Sequence, residues 1–332
     1  MPLGNVCGGF MALLEINNLK LEFGAGANAV RVVNGVSLSI REGETVCLVG
    51  ESGSGKSVTA LSIARLVPQP PASYPGGEIL LDGKDVLKMD QRELQAIRGG
   101  VVSYIFQEPS AALNPVYRVG AQILESLKLH CPAKANDGEV IRLLKLVGIP
   151  APESRVKDYP HQMSGGMQQR VMIAMALASE PKLLIADEPT TALDVTIQAQ
   201  ILELLQDLKQ RLNMSILLIT HNLGIVGDIA DQVAVMYAGQ VVETAPARDL
   251  LQQPLHPYTQ SLMESVPNLG HQAERLQSIS GNVPDARDFP DGCRFHPRCP
   301  VVQEDCSVRS PSLKEAIARR LVRCPYWERE SP

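Results

Sequence analysis

The sequence predicts an α/β fold, and three observations carry that expectation. Short, continuously apolar runs, ETVCLVG (44–50), KLLIADE (182–188) and SILLIT (215–220), recur along the chain. Segments whose apolar residues repeat at helical spacing separate them. The stretch GESGSGKS (50–57) joins the first of these runs to the first helical pattern and satisfies G-x-x-x-x-G-K-[ST]. Strands that are apolar along their whole length point to a parallel sheet covered on both faces.

Taken in order, residues 1–10 read as an N-terminal extension, disordered or lying upstream of the true start, because the strand-like run MALLEINNLKLEF opens at Met11. After GESGSGKS, residues Val58, Leu61, Ile63 and Leu66 lie along a helix. From about 108 to 178 the pattern is mostly helical, which suggests an inserted helical subdomain. Behind KLLIADE, Asp194 is a plausible N-cap, followed by Ile197, Ile201, Leu204, Leu205 and Leu208 at helical spacing. After about Gly270 the pattern thins into Pro, Arg and Cys. The expected division is therefore a core at 11–270 and a C-terminal extension at 271–332.

Composition excludes several classes. The 332 residues are 45% hydrophobic and 20% charged, as in a soluble globular protein. A formal net charge of −5 gives no basic field for nucleic acid. No apolar run approaches the roughly 18 residues of a membrane helix, and the N-terminus lacks the basic and apolar regions of a signal peptide. A cytosolic protein is expected, and no short internal repeat suggests a solenoid or propeller. Of seven cysteines, Cys7, Cys47 and Cys131 are scattered, and Cys47 reads as a small buried hydrophobe.

The motifs specify chemistry. In Gly50, Glu51, Ser52, Gly53, Ser54, Gly55, Lys56, Ser57 and Val58, the glycines let successive backbone N–H groups turn toward phosphate oxygens. Lys56 then reaches the β- and γ-phosphates, and Ser57 can ligate Mg²⁺. KLLIADE ends in two acids that an apolar strand has little reason to carry unless a cation is near. Asp187 would hold Mg²⁺ and Glu188 would polarise an attacking water. Ser164, Gly165 and Gly166, directly before a helix, form a second phosphate-binding turn. One nucleotide cannot use two such turns in one subunit, so the second suits a nucleotide held by a neighbour.

On YPHQMSGGMQQR (159–170), together with Gln107 in IFQEP, the TALD turn (191–194) and His221 in ITHN, the chain resembles the ATP-binding subunits of ABC transporters, over roughly residues 13–269. The resemblance implies a mixed-sheet ATPase core with a helical subdomain and a head-to-tail dimer. In that dimer the signature turn Ser164–Gly165–Gly166–Met167 closes over the partner's ATP. It also implies that Gln107 senses the γ-phosphate and metal while facing a membrane partner, that His221 holds water and Glu188 in line, that Asp194 belongs to the dimer-facing turn, and that Phe23 stacks on adenine. Met167 stands where the family usually has Gln, and Asn222 where Asp commonly follows the His; neither removes a phosphate donor.

PLHPYTQSLMESVP (254–267), FQEPSAALNP and DEPTTALDVTIQAQI resemble dipeptide and oligopeptide importer ATPases, most closely the dipeptide type. A nickel importer of the same subfamily and a soluble ABC ATPase are the alternatives. The resemblance implies a second, related ATPase chain, two membrane permeases, an external peptide-binding protein and a peripheral place on the cytoplasmic face of the inner membrane.

Cys293, Cys299, Cys306 and Cys324 crowd into the tail with spacing C-x5-C-x6-C-x17-C. This differs from the paired spacing of most zinc sites, and a reducing cytosol disfavours disulfides. Four thiolates fit an iron–sulfur cluster, and the resemblance implies a [4Fe–4S] cluster; zinc, free thiols and a disulfide stay open. His296 reads as a loop histidine. Few apolar residues are available there, so a loop-built module that a metal holds together is expected.

Overall fold

The computed structural model describes residues 12–191, 193–265 and 279–328. The N-terminal extension, Met11, Cys7, the boundary near Gly270 and Ala192 of the TALD turn lie outside the described residues. The chain divides into two compact units, one of 1–88 with 220–332 and one of 89–219.

The first unit opens with β1 (Ala12–Phe23), β2 (Val30–Arg41) and β3 (Thr45–Val49). Helix α1 (Lys56–Ser62), β4 (Ala72–Leu81) and β5 (Lys84–Asp85) follow. An antiparallel sheet in the order β2-β1-β4-β5 pairs Ile16 with Leu38 on one side and Ile79 on the other. Its strands are not among those that the apolar runs mark, and the sheet accords with the mixed-sheet core that the resemblance implies. β2 buries only Val33, Val36, Leu38 and Ile40, and β4, which carries Pro75, Gly76 and Gly77, only Ala72, Ile79 and Leu81, so neither shows the continuous apolar run that marks a strand covered on both faces. Helix α1 is also shorter than its apolar pattern suggests. The Ser62 hydroxyl donates to the Val58 carbonyl, Arg65 turns left-handed at φ 47°, and Leu66 is 36% exposed.

The second unit contains α2 (Gln91–Ile97), β6 (Val102–Ile105), α3 (Pro109–Ala112), α4 (Val119–His130), α5 (Asp137–Leu146), α6 (Pro152–Arg155), α7 (Gly165–Leu177), β7 (Leu183–Asp187), α8 (Val195–Leu212) and β8 (Ser215–Thr220). β6, β7 and β8 are parallel, with Ala186 opposite Ile105 and Leu218. β7 and β8 are buried at every position, which is why both read as unbroken apolar runs. Helices alone occupy the described chain between β6 and β7. α8 begins at Asp194, whose carboxylate accepts the Ile197 N–H at 2.9 Å, and it buries Ile201, Leu202, Leu205 and Leu208.

Back in the first unit the chain forms α9 (Val226–Ile229), β9 (Gln232–Tyr237), β10 (Gln240–Pro246), α10 (Ala247–Gln252) and α11 (Pro257–Glu264). The hairpin β11 (Lys314–Ile317) and β12 (Arg320–Val322) ends the described chain's regular structure. β3 and β9 are parallel; β9, β10, β12 and β11 continue antiparallel, so this sheet is mixed.

The C-terminal segment therefore has its own anchors, against the expectation that a metal alone would organise it. β12 pairs with β10, Glu243 opposite Val322. Phe295 is 1% exposed, with the rings of Tyr237 and Tyr258 at 5.2 and 5.3 Å. Burying one such side chain contributes about 1.5–3 kcal/mol. The apolar surface the segment needs is supplied by the core rather than by the segment.

Candidate functional site

β3 delivers the chain into the loop Gly50–Gly55, and α1 takes it away. A Cβ at Gly50 would lie 2.1 Å from the Met236 carbonyl oxygen, so only glycine lets the loop leave β3 this close to β9. Lys56, 5% exposed, curls back over the loop, its Nζ donating to the carbonyls of Gly50 and Glu51 at 2.8 and 3.0 Å. The ammonium is thus held at the loop's own centre. Ser57 and Val58 follow in the first turn of α1, both half-buried. Ser54 is fully buried, and the Gly239 N–H donates to its carbonyl at 2.9 Å. Phe23, at the end of β1, lines a cleft with Ser52 and Gly53.

Two contacts fix Glu51 that sequence reasoning did not identify. Its N–H donates to the Tyr258 hydroxyl at 2.9 Å, and its carboxylate receives the Arg298 guanidinium at 2.8 and 3.0 Å. Tyr258 lies within the HPYT segment, the one signal that could have found it. His256 of the same segment caps α11, its Nδ1 accepting the Tyr258 N–H at 3.0 Å; burial pushes its pKa down to about 3 and keeps it neutral. Glu243, wholly buried on β10, accepts the N–H groups of Leu255 and His256 at 2.9 and 2.8 Å and faces Arg320 of β12 at 3.5 Å.

His221 follows β8 and is exposed. Next to it the Asn222 side chain accepts the Gly224 N–H at 2.8 Å and caps the turn 223–225. Asn replaces Asp there without losing the acceptor.

In the second unit, Asp187 closes β7 at 6% exposure and accepts the Tyr104 hydroxyl at 2.8 Å. Burial and the Asp187 charge hold the Tyr104 pKa well above its usual value, so the phenol keeps its proton and donates. Glu188 takes a left-handed backbone, φ 47°, rare for a residue with a Cβ, and its N–H donates to the Ile219 carbonyl at 2.9 Å. Its Oε2 accepts from Gln107 Nε2 and from Thr191 Oγ1, each at 2.9 Å. The structure thus brings together Gln107, Asp187 and Glu188 at the ends of β6 and β7; Thr191 was not singled out in the sequence.

Ser164 caps α7 and is exposed together with Gly165, while Gly166 and Met167 are half-buried. A Cβ on Gly166 would meet Ile197 at 2.9 Å, so the turn rests on the first turn of α8, beside exposed Asp194.

The four tail cysteines line one cavity with Arg309 and Arg323. Cys293 Sγ accepts the backbone N–H groups of Phe295 and His296, Cys299 that of Val301, Cys324 that of Tyr326, and Cys306 that of Gln303 at 3.5 Å. Burial, then the neighbouring thiolates, pushes Cys299 up to about 11 and Cys324 up to about 12; Cys293 is raised chiefly by burial. None of the six described cysteines is in a disulfide. Among the described residues, no three His, Cys, Asp or Glu side chains converge as a single metal ion requires. His296 hydrogen-bonds the Cys293 carbonyl through Nδ1 at 2.9 Å.

Residues 33–191 match the family described as ABC transporter, and residues 242–306 match the oligopeptide/dipeptide transporter C-terminal region. The oligopeptide transport ATP-binding protein AppD of Bacillus subtilis is 51% identical, over 96% of this chain and 98% of its own. The dipeptide transport ATP-binding protein DppD of Escherichia coli is 47% identical, over 95% and 97%. Among solved structures, a dimeric ATP-binding cassette in a post-hydrolysis state with ADP and Pi is 28% identical with a TM-score of 0.62, covering 71% of this chain and 99% of that one. With about half identity to these relatives along nearly the whole of both chains, and with both family regions present in order, the chain belongs to the ATP-binding proteins of dipeptide and oligopeptide ABC transporters.

Proposed function

We propose that the chain binds and hydrolyses ATP to drive import of dipeptides or oligopeptides through separate membrane subunits fed by an external peptide-binding protein, from a peripheral position on the cytoplasmic face of the inner membrane. The match of residues 242–306 to the peptide-transporter C-terminal region carries the peptide assignment. Among the described residues no helix is long and apolar enough to cross a bilayer. Phe106, Val116 and Tyr117, near Gln107 in the chain, are exposed large apolar side chains on which a membrane subunit would act.

In this reading residues 50–58 bind the phosphates, with Lys56 leaving its two carbonyls for the β- and γ-oxygens. Ser57, Asp187 and Gln107 would hold Mg²⁺, which when bound offsets charge on those oxygens. Glu188 takes the proton of the attacking water as its oxygen bonds to the γ-phosphorus and the bond to ADP breaks. Gln107 and Thr191 aim that carboxylate, and His221 orients the water. Ser164, Gly165, Gly166 and Met167, with Asp194 beside them, address the ATP of a second, related ATPase chain. Domains at 11–270, with a helical part near 108–178, and 271–332 accord with these roles.

The donor set of the tail cavity fits an iron–sulfur cluster. Four sulfurs line one cavity, and burial raises Cys293, Cys299 and Cys324 above the usual thiol range, so a strongly cationic centre is needed to hold them as thiolates. Cys293, Cys299, Cys306 and Cys324 would therefore hold one [4Fe–4S] cluster, which when bound cross-links the tail.

The transport reading is tested by reconstitution with the membrane subunits and binding protein that co-purify with the chain. Labelled dipeptide should accumulate only with Mg-ATP on the ATPase side, and Lys56→Ala should abolish it. Accumulation that proceeds without this chain would overturn the assignment.

A further inference from the structure

The cleft holding Phe23 has a second wall that no ATPase motif supplies. Its volume is about 480 Å³, within the usual range for small-molecule sites. On one side are Phe23, Val30, Ser52 and Gly53; on the other is the segment 283–287 of the C-terminal extension. All of these belong to the same compact unit. A triphosphate lying along residues 50–57 must send its ribose and base away from the loop, and the cleft begins at Ser52 and Gly53.

The segment is built to stay there. Asp285 accepts the Arg287 N–H on its side chain and the Asp288 N–H on its carbonyl, both at 2.9 Å, which fixes a tight turn after Pro284. Just upstream, Arg298 donates to the carbonyls of Ser280 and Gly281 at 2.8 and 3.2 Å while also gripping Glu51 of the phosphate loop. One guanidinium thus joins the residue before Ser52 to the chain that leads into segment 283–287. Arg287 is exposed, and among the described residues its guanidinium has no hydrogen bond or ion pair. A flat, delocalised cation on one wall of a cleft and an aromatic ring on the other suit a nucleobase, which offers a π-face to each.

We propose that segment 283–287 forms the second wall of the nucleoside site in cis, with Arg287 closing on the base across from Phe23. This rests on the ATP-site reading above. It adds a function for the extension: the tail takes part in holding the nucleotide of its own subunit. Because stacking accepts any base, the site discriminates little between ATP and GTP.

Calorimetric titration of the full chain with Mg-ATP, Mg-GTP and Mg-tripolyphosphate tests it. Arg287→Ala should weaken ATP and GTP about tenfold each and leave tripolyphosphate unchanged, in line with the cost of losing one stacking partner. Arg287→Lys, which keeps the charge but not the plane, should recover less than half of that loss in logarithmic terms. Unchanged ATP affinity in Arg287→Ala, or an equal loss for tripolyphosphate, would overturn the proposal, the latter by making Arg287 a phosphate contact. If the unsubstituted chain binds neither ATP nor tripolyphosphate, the ATP-site reading falls, and this inference falls with it.

Discussion

Arg298, the residue before Cys299, places both terminal guanidinium nitrogens on the carboxylate of Glu51, the second residue of the phosphate loop, at 2.8 and 3.0 Å. The Arg298 side chain is 6% exposed and that of Glu51 29%, so water competes little for the pair. The cysteine-bearing segment and the phosphate loop therefore share a fork-to-carboxylate contact across 247 residues of sequence.

This pair should be energetically coupled. Arg298→Met and Glu51→Gln, alone and together, form a double-mutant cycle whose interaction term we expect at about 1–3 kcal/mol in chemical unfolding. Each single variant should also weaken ATP binding severalfold. Strict additivity would mean that the contact transmits nothing between tail and loop.

Replacing Glu188 by Gln keeps an acceptor for Gln107 and Thr191 but removes the base. Turnover should fall by about two to four orders of magnitude while Mg-ATP binding persists and closed dimers accumulate. Steady-state hydrolysis at the unsubstituted rate would remove Glu188 from the chemistry.

Lys56 and Ser164 should separate by subunit. Lys56→Ala is expected to abolish ATP affinity in isolated chains, because its ammonium sits within the chain's own loop. Ser164→Arg should leave that affinity intact and block closure and hydrolysis, since Ser164 caps an exposed helix start in the second unit. Loss of ATP binding by monomeric Ser164→Arg would contradict action on a neighbour's nucleotide.

Anaerobically purified protein should be brown and carry about four irons and four sulfides per chain. Any Cys→Ser change among Cys293, Cys299, Cys306 and Cys324 should lower iron content. The amides of β12 should nonetheless stay protected in hydrogen exchange, because strand pairing with β10 holds them independently of the cavity. Colourless protein with stoichiometric zinc would refute the cluster, and iron loss that unfolds β12 would refute the independent anchoring.

The parts of the fold legible in the sequence are those whose pattern is local. β3, β7 and β8 are buried on both faces and read directly as apolar runs, and Asp194 announces α8 through a cap four residues long. β2, β4 and the β11–β12 hairpin escaped because one face is solvated or the strand is only three or four residues. At the site, Gln107, Asp187 and Glu188 could be named from their motifs. The reason for the HPYT segment could not: Tyr258 and Glu51 are 207 residues apart. The same distance problem hides Arg298. Its role exists only once the chain has returned to the loop it left.

The β11–β12 hairpin also acts as insulation. Without it, β10 would present a row of unpaired backbone groups, an invitation to pair with the same strand of another molecule. The hairpin covers that row and substitutes a four-residue rim, Lys314–Ile317, that begins with the exposed charges Lys314 and Glu315. A chain truncated before Lys314 would therefore keep its nucleotide motifs yet gain an adhesive border, and its first symptom should be self-association rather than loss of ATP binding.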